Sequence, residues 1–389
     1  MNFSTTTPAA MLSAWFMRRT ALRGVRRVAQ FDGALASDIG SVREENQDRV
    51  ALVRGRDRLG QPFILAVLAD GMGGMKSGSE CAALTLGTFI DSVLTDAQLS
   101  MDASDEWLVR GAHRANKAVH KKYAGQGGST LVAAVLMNGF SPRWLSVGDS
   151  RAYQAGKGLL NQLSLDDTLD GQLGKAGEGR RRDLLQFIGI GDALEPHIGT
   201  IGSDAETVLL TSDGVHFIDA DLLAKVVHYA PNLGYCASRL TELAKMLGGP
   251  DNASVVALSF NALMVNIETY LNDVYEVWDP FGELQVMFDR RAYQSVSSPS
   301  QLQSSSKEVK PLANLPVAPK ESTADKLVSG SKHKEVPSDE KGALTAKAPQ
   351  KRSRGPRKKR NLSSESESIR KSEEAEELQL FIEFPNKKS

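Results

Sequence analysis

FILAVLADGMGG, residues 63–74, decides how the rest of the chain is read. Phe63 to Ala69 form an apolar run of strand length, Asp70 ends it, and Gly71, Gly73 and Gly74 free the backbone that follows. A single Asp-Gly is ordinarily a turn. Here the arrangement recurs: REENQD (43–48) runs into the strand RVALV, and Asp149 ends the strand of WLSVGDSR (144–151). Asp213 follows TVLLTS (207–212), and Asp251 precedes a strand in GGPDNASVVAL (248–258). An apolar strand delivers its end to a fixed place, so several strands ending in aspartate gather carboxylates in one cleft. Left unneutralised, those charges repel and raise one another's pKa. Divalent cations remove the conflict, and an oxygen-only set without His or Cys favours magnesium or manganese over zinc. A water held between two such ions becomes a hydroxide nucleophile near neutral pH.

Further strands are expected at Arg49 to Val53, Thr130 to Leu136, Trp144 to Val147, Thr207 to Thr211 and Ser254 to Ser259. Helical spacing marks Ser79 to Leu94 and Glu106 to Tyr123. Helices inserted between strands predict a sheet-rich, layered α/β or α+β domain over residues 32–262. Residues 263–294 form a short helix-strand appendage. Ile267, Tyr270, Leu271, Val274 and Trp278 keep helical spacing, Pro280 and Gly282 break it, and ELQVMF (283–288) alternates like a strand. Its apolar stripe is expected to pack on the domain.

The charge is unevenly placed. The 389 residues hold 47 Lys and Arg against 47 Asp and Glu, a formal net charge of zero. That balance argues against a dedicated nucleic-acid binder or a polybasic membrane protein. Residues 1–31 carry five arginines and no acid, residues 303–389 carry 19 basic and 13 acidic residues, and residues 32–302 are left with a net charge of −11. The leader shares the acid-free composition of an organelle transit peptide, but the plainer reading is a mobile or surface-docking segment. Residues 295–389 are poor in aromatics and rich in Ser, Pro, Lys and Glu, and read as a disordered tail. The tail includes a basic cluster, KRSRGPRKKR (351–360), and an acidic and apolar end containing LQLFIEF (378–384). Contact with an acidic protein, nucleic acid or an anionic surface is the sharper reading of the cluster. LQLFIEF suits strand addition to a partner's sheet edge. Cys81 and Cys236 fit neither a disulfide framework nor a thiolate metal site, so a reducing, cytoplasmic setting is expected. No apolar run reaches the roughly 18 residues of a membrane helix.

SDIGSVREENQD (37–48), LADGMGG (68–74), GGST (127–130), VGDSRAY (147–153), LLTSDG (209–214) and GPDNASVV (249–256) occur in order, and together they resemble the PP2C-type (PPM) metal-dependent protein phosphatases of bacteria. The resemblance covers about Phe31 to Phe260. It implies an α+β fold, a layered β-sandwich of two antiparallel sheets flanked by α-helices, with two Mn2+ or Mg2+ ions at one end and a weaker third site. Carried over by position, Asp70 bridges both ions and the Gly71 carbonyl ligates one. Asp213 and Asp251 complete the first site, Asp48 holds the second ion through water, and Asp149 with Asp213 forms the third site. Arg43 matches the phosphate-binding arginine, a role its planar fork suits. The implied reaction is attack of a metal-bridging hydroxide on phosphoserine or phosphothreonine of a protein, with a Ser/Thr kinase or its targets as partners and a monomeric enzyme.

Four positions depart from the wider family. Met72 stands where eukaryotic relatives carry a histidine, Gln47 replaces a common Glu, and Phe217 occupies the place of an acidic third-metal ligand. In SLDDTL (164–169), Asp167 replaces the histidine of the usual D-H-S or D-H-T, which bears on the flap that controls access. The alternative function is a catalytically weak scaffold of the same fold that binds phosphoproteins through its flap and tail.

Overall fold

A computed structural model describes residues 7–72, 77–100, 103–172, 184–261 and 274–287. The expected tail, with its basic cluster and LQLFIEF, lies outside these residues. In chain order the elements are α1 (Pro8–Phe16), β1 (Arg23–Val28), β2 (Gly33–Asp38), β3 (Asp48–Arg56), β4 (Pro62–Asp70), α2 (Gly78–Leu99) and α3 (Ser104–Tyr123). They continue with β5 (Leu131–Met137), β6 (Arg143–Val147), β7 (Arg151–Gly156), β8 (Leu159–Gln162), α4 (Leu169–Gln172), β9 (His197–Thr200) and β10 (Thr207–Thr211). The last are α5 (Asp213–His216), α6 (Ala220–Tyr229), α7 (Leu233–Met246), β11 (Ala253–Ser259), β12 (Val274–Asp279) and β13 (Gly282–Met287).

The strands build two antiparallel sheets, ordered β1-β2-β11-β10-β7-β8 and β13-β12-β3-β4-β5-β6-β9. The run Phe63 to Ala69 is apolar throughout because β4 is covered on both faces. Ile64, Ala66 and Leu68 point between the sheets, where they meet Leu35, Val132, Leu210 and Val256. Phe63, Leu65 and Val67 point outward under α2 and α3, against Phe89, Val93 and Trp107. The other sheet is covered by α5, α6 and α7, with Leu209 and Val255 against Cys236 and Leu240. Helix, sheet, sheet and helix layers give the α+β sandwich. The sequence-derived strands are β3, β4, β5, β6, β10 and β11, and the two helices are α2 and α3.

The leader differs from the mobile segment expected. Residues 8–16 form α1, capped by the Thr7 side chain, and Leu12 and Phe16 are buried in the core beneath α2. The docking needs Gly87, where a Cβ would lie 2.2 Å from Ser13 Oγ and 2.8 Å from the Ala9 carbonyl oxygen. Residues 23–28 then pair with β2 as an edge strand whose arginines guard its exposed side. The appendage also differs. Val274 to Trp278 belong to β12, which pairs with β3, because Tyr275 and Val277 face the helix-covered core while Trp278 faces the inter-sheet core. A period of two wins over the helical spacing of the same apolar residues. Ile267, Tyr270 and Leu271 lie outside the described residues.

Candidate metal centre

Hydrogen-bond register fixes the first pair of carboxylates. Asp48, the first residue of β3, stands opposite Asp70, the last residue of β4. Asp149 lies in the turn from β6 to β7, Asp213 opens α5 at the end of β10, and Asp251 precedes β11. The two sheets bring these ends to the same edge of the sandwich. Burial pushes the Asp70 carboxyl well above the usual carboxylate range, and the charges of Asp48, Asp213, Asp149 and Asp251 push it the same way. Asp48 is raised first by its burial, against the hydrogen bonds of Ser212 and Ser254, and further by Asp213 and Asp251. Burial, then Asp213 and Asp166, raise Asp149 to about 7.

Neighbouring polar groups hold these carboxylates. Ser212 Oγ donates to Asp48 Oδ2 at 2.8 Å, whereas among the described residues the buried Asp48 Oδ1 has no hydrogen-bond partner. Asn252 accepts from the Gln47 amide (2.8 Å) and donates to the carbonyls of Ile39 (2.8 Å) and Glu45 (3.0 Å), so it closes the Arg43–Asp48 loop against the Asp251 turn. Thr130 Oγ1 accepts from the Asp70 amide at 2.9 Å and meets Ser150 Oγ at 2.7 Å, which joins the end of β4 to the Asp149 turn. At Gly71 a Cβ would come within 2.2 Å of the Gly78 carbonyl oxygen, so only glycine fits beside the start of α2. Ser212, Asn252 and Thr130 were not singled out from sequence. Their signal was their position inside SDG, PDN and GGST, next to residues that were.

Arg43 lies at the rim with a bidentate fork on Asp251, Nε to Oδ1 at 2.7 Å and Nη2 to Oδ2 at 2.6 Å. That hydrogen bond raises its pKa, outweighing burial, and Asp213 and Asp70 add to the effect. Among the departures, the Met72 amide donates to the Gly128 carbonyl at 3.1 Å. The Gln47 side chain lies against Gly78. Phe217 packs on the core beneath α7, so a ligand role for that position is absent.

Asp167 is buried and ties three segments together. Its Oδ2 accepts from the Gly148 amide (2.8 Å), its Oδ1 meets His197 Nε2 (2.7 Å), and its carbonyl accepts from the Leu185 amide (2.7 Å). Gly148 needs its positive φ of 95° to make the turn that presents Asp149. Asp166, the preceding residue, forks with Arg151. Residues 173–183, which follow this segment, lie outside the described residues.

The donor set suits hard divalent cations. It offers carboxylate and carbonyl oxygen, a buried Asp48 oxygen unpaired among the described residues, and three carboxyls whose charged form is disfavoured until a cation offsets it. Among the described residues, no three His, Cys, Asp or Glu side chains converge as a closed ligand cage. The aspartates are gathered within electrostatic range, with Arg43 holding one of them.

No protein-family profile matches the chain. It is 26% identical over 245 residues to the serine/threonine phosphatase stp of Listeria innocua, covering 58% of this chain and 95% of that protein. It is 32% identical over 240 residues to the serine/threonine protein phosphatase PstP of Mycobacterium tuberculosis, covering 57% of this chain and 44% of that one. A crystal structure of the PPM Ser-Thr phosphatase MsPP from Mycobacterium smegmatis, in complex with cacodylate, superposes with a TM-score of 0.50 at 26% identity, covering 60% of this chain and 99% of that chain. The double antiparallel sandwich is matched along 95% of stp and 99% of the MsPP chain, which shows the PP2C fold. Within that fold the chain is similar to the PPM phosphatases of bacteria.

Proposed function

We propose that the protein hydrolyses phosphoserine and phosphothreonine monoesters on proteins with two Mn2+ or Mg2+ ions. The observation that carries this reading is the Asp48–Asp70 pair at adjoining strand ends, in a cleft whose other ionisable ligands are also aspartates. Asp48, Asp70, Asp213, Asp251 and the Gly71 carbonyl would hold the two ions, and Asp149 with Asp213 a weaker third. When bound, divalent cations acidify water and offset the charge of the transferring phosphoryl group.

The chain's own residues supply the rest. Ser212 fixes one oxygen of Asp48 and leaves the other available, so the carboxylate is oriented before any ion arrives. Arg43 already forms two parallel charged hydrogen bonds to a carboxylate, and the same fork suits a phosphate dianion when Asp251 turns to a cation. Met72 has no proton to give, so solvent protonates the departing serine or threonine oxygen. A protein substrate, a Ser/Thr kinase as the opposing activity, and a cytoplasmic monomer complete the proposal. Among the described residues no helix is long and apolar enough to cross a membrane. All the expected acidic ligands are present, and no observation favours the scaffold alternative.

The test is Mn2+-dependent hydrolysis of a phosphothreonine peptide by the wild type and by Asp213→Asn. Turnover by the wild type and its loss in the variant are expected. Retention of more than a few per cent of activity in the variant would refute the assignment.

A further inference from the structure

Arg49 directly follows Asp48 in β3, and its side chain reaches the leader. Nε donates to the carbonyl of Phe16, the last residue of α1, at 2.7 Å. Nη1 donates to the carbonyls of Asn46 (2.7 Å) and Asp48 (2.8 Å). One cation therefore joins the C-terminus of the leader helix to the loop that delivers Asp48. The negative end of a helix dipole is a favourable place for a guanidinium. Among the described residues Arg49 hydrogen-bonds no carboxylate, so the half-buried guanidinium takes its oxygen partners from these three carbonyls.

The opposite side of the leader is held by the β12–β13 hairpin. Arg18 donates to the Trp15 carbonyl and to Asp279 Oδ1, both at 2.8 Å, and lies over the Trp15 ring at 4.0 Å from its centroid. Arg26 approaches Glu283 at 3.8 Å, and the backbone of Gly24 is packed against Phe281. Segments distant in sequence thus wall a cavity of about 310 Å3 whose lining includes Phe16, Arg18, Glu45, Asp48, Arg49 and Asp279. The cavity lies between the leader, the hairpin and the strand that starts with Asp48.

The geometry points to Arg49 as a positioning residue that makes the docked leader and the β12–β13 hairpin part of the metal centre. It holds the Asn46–Asp48 backbone against α1 and thereby sets the Asp48 carboxylate. The inference rests on Asp48 being a metal ligand, as proposed above.

Mn2+ itself is the probe, titrated calorimetrically into the full chain as wild type, Arg49→Met, Arg49→Lys and Arg18→Met. Arg49→Met is expected to weaken Mn2+ binding on the order of 10-fold, the size of effect that lost outer-sphere partners produce. Its kcat at saturating Mn2+ should be retained, and Arg49→Lys should recover part of the affinity. Arg18→Met should speed hydrogen exchange of the α1 amides and weaken Mn2+ in the same direction. Unchanged Mn2+ affinity in a folded Arg49→Met overturns the inference. If that variant does not fold, Arg18→Met decides: unchanged affinity, or unchanged exchange of α1, overturns it. Wild-type turnover of a phosphothreonine peptide, measured alongside, tests the phosphatase reading separately, since calorimetric binding scores Arg49 whether or not that peptide is hydrolysed.

Discussion

Asp70 ends a strand on which every residue from Phe63 to Ala69 is buried, so its half-buried carboxylate is poorly solvated and four other aspartates act on it. Folding alone would place a neutral residue there. Asp70→Asn is therefore expected to abolish metal-dependent turnover while stabilising the metal-free protein at pH 8, since it removes a charge that burial and four like charges disfavour. Urea unfolding in the presence of a chelator measures the second effect, and a destabilised variant would contradict it. Asp70 and the other gathered aspartates are legible in sequence because each stands at the start or end of an apolar run, Asp70, Asp149 and Asp213 directly beside a glycine. Ser212 and Asn252 were not singled out: a serine or asparagine in a turn is common, and only their bonds to Asp48 and to the Ile39–Gln47 loop give them a role.

Among the elements, α1 tests how closely two helices can pack. Gly87→Ala would gain roughly 1 kcal/mol of helix propensity in α2. The added Cβ would instead meet the Ser13 amide nitrogen at 2.6 Å, and backbone yields less readily than a side chain. A net loss of about 1–3 kcal/mol is expected, as for overpacking elsewhere, together with faster proteolysis within residues 8–16. Thermal unfolding and limited digestion check both. The turn between β6 and β7 offers a second case. Asp167→Ala leaves the buried Gly148 amide without its acceptor, at a cost of about 1–3 kcal/mol. The His197 contact adds little, because that imidazole is 37% exposed. Asp167→Asn keeps an oxygen for Gly148 and should lose less, which urea midpoints of the two variants would establish.

For the whole molecule, the gathered carboxylates make stability depend on pH and metal together. Asp149 rises to about 7, and Asp48 and Asp70 move in the same direction. A carboxyl whose pKa is higher in the folded protein binds its proton more tightly there than in the unfolded chain. Its contribution is fully present below the ordinary carboxylate range and is lost as pH rises through about 7 for Asp149. The metal-free protein is accordingly expected to unfold at a lower temperature at pH 8 than at pH 5, and Mn2+ should restore the difference at pH 8 through preferential binding to the folded state. Calorimetric scans with chelator and with Mn2+ test this, and a metal-free midpoint that rises from pH 5 to pH 8 would contradict it.

By itself the sequence determined the layered class, the central strands and the aspartates at strand ends that the fold gathers, because apolar period and strand-end chemistry are local properties. The leader and the 274–287 hairpin were decided only by tertiary structure. Leu12 and Phe16 have too little apolar company in sequence to announce a core position, and they acquire it from α2 and β12. The apolar residues of Val274 to Trp278 fit a helical spacing as well as an alternating one, and it is the open edge of β3 that makes them a strand. The same holds for Arg49. Its place beside Asp48 was plain in the sequence, but the carbonyl it needs from Phe16 lies 33 residues away in the chain, and only the docking of α1 brings it within 2.7 Å.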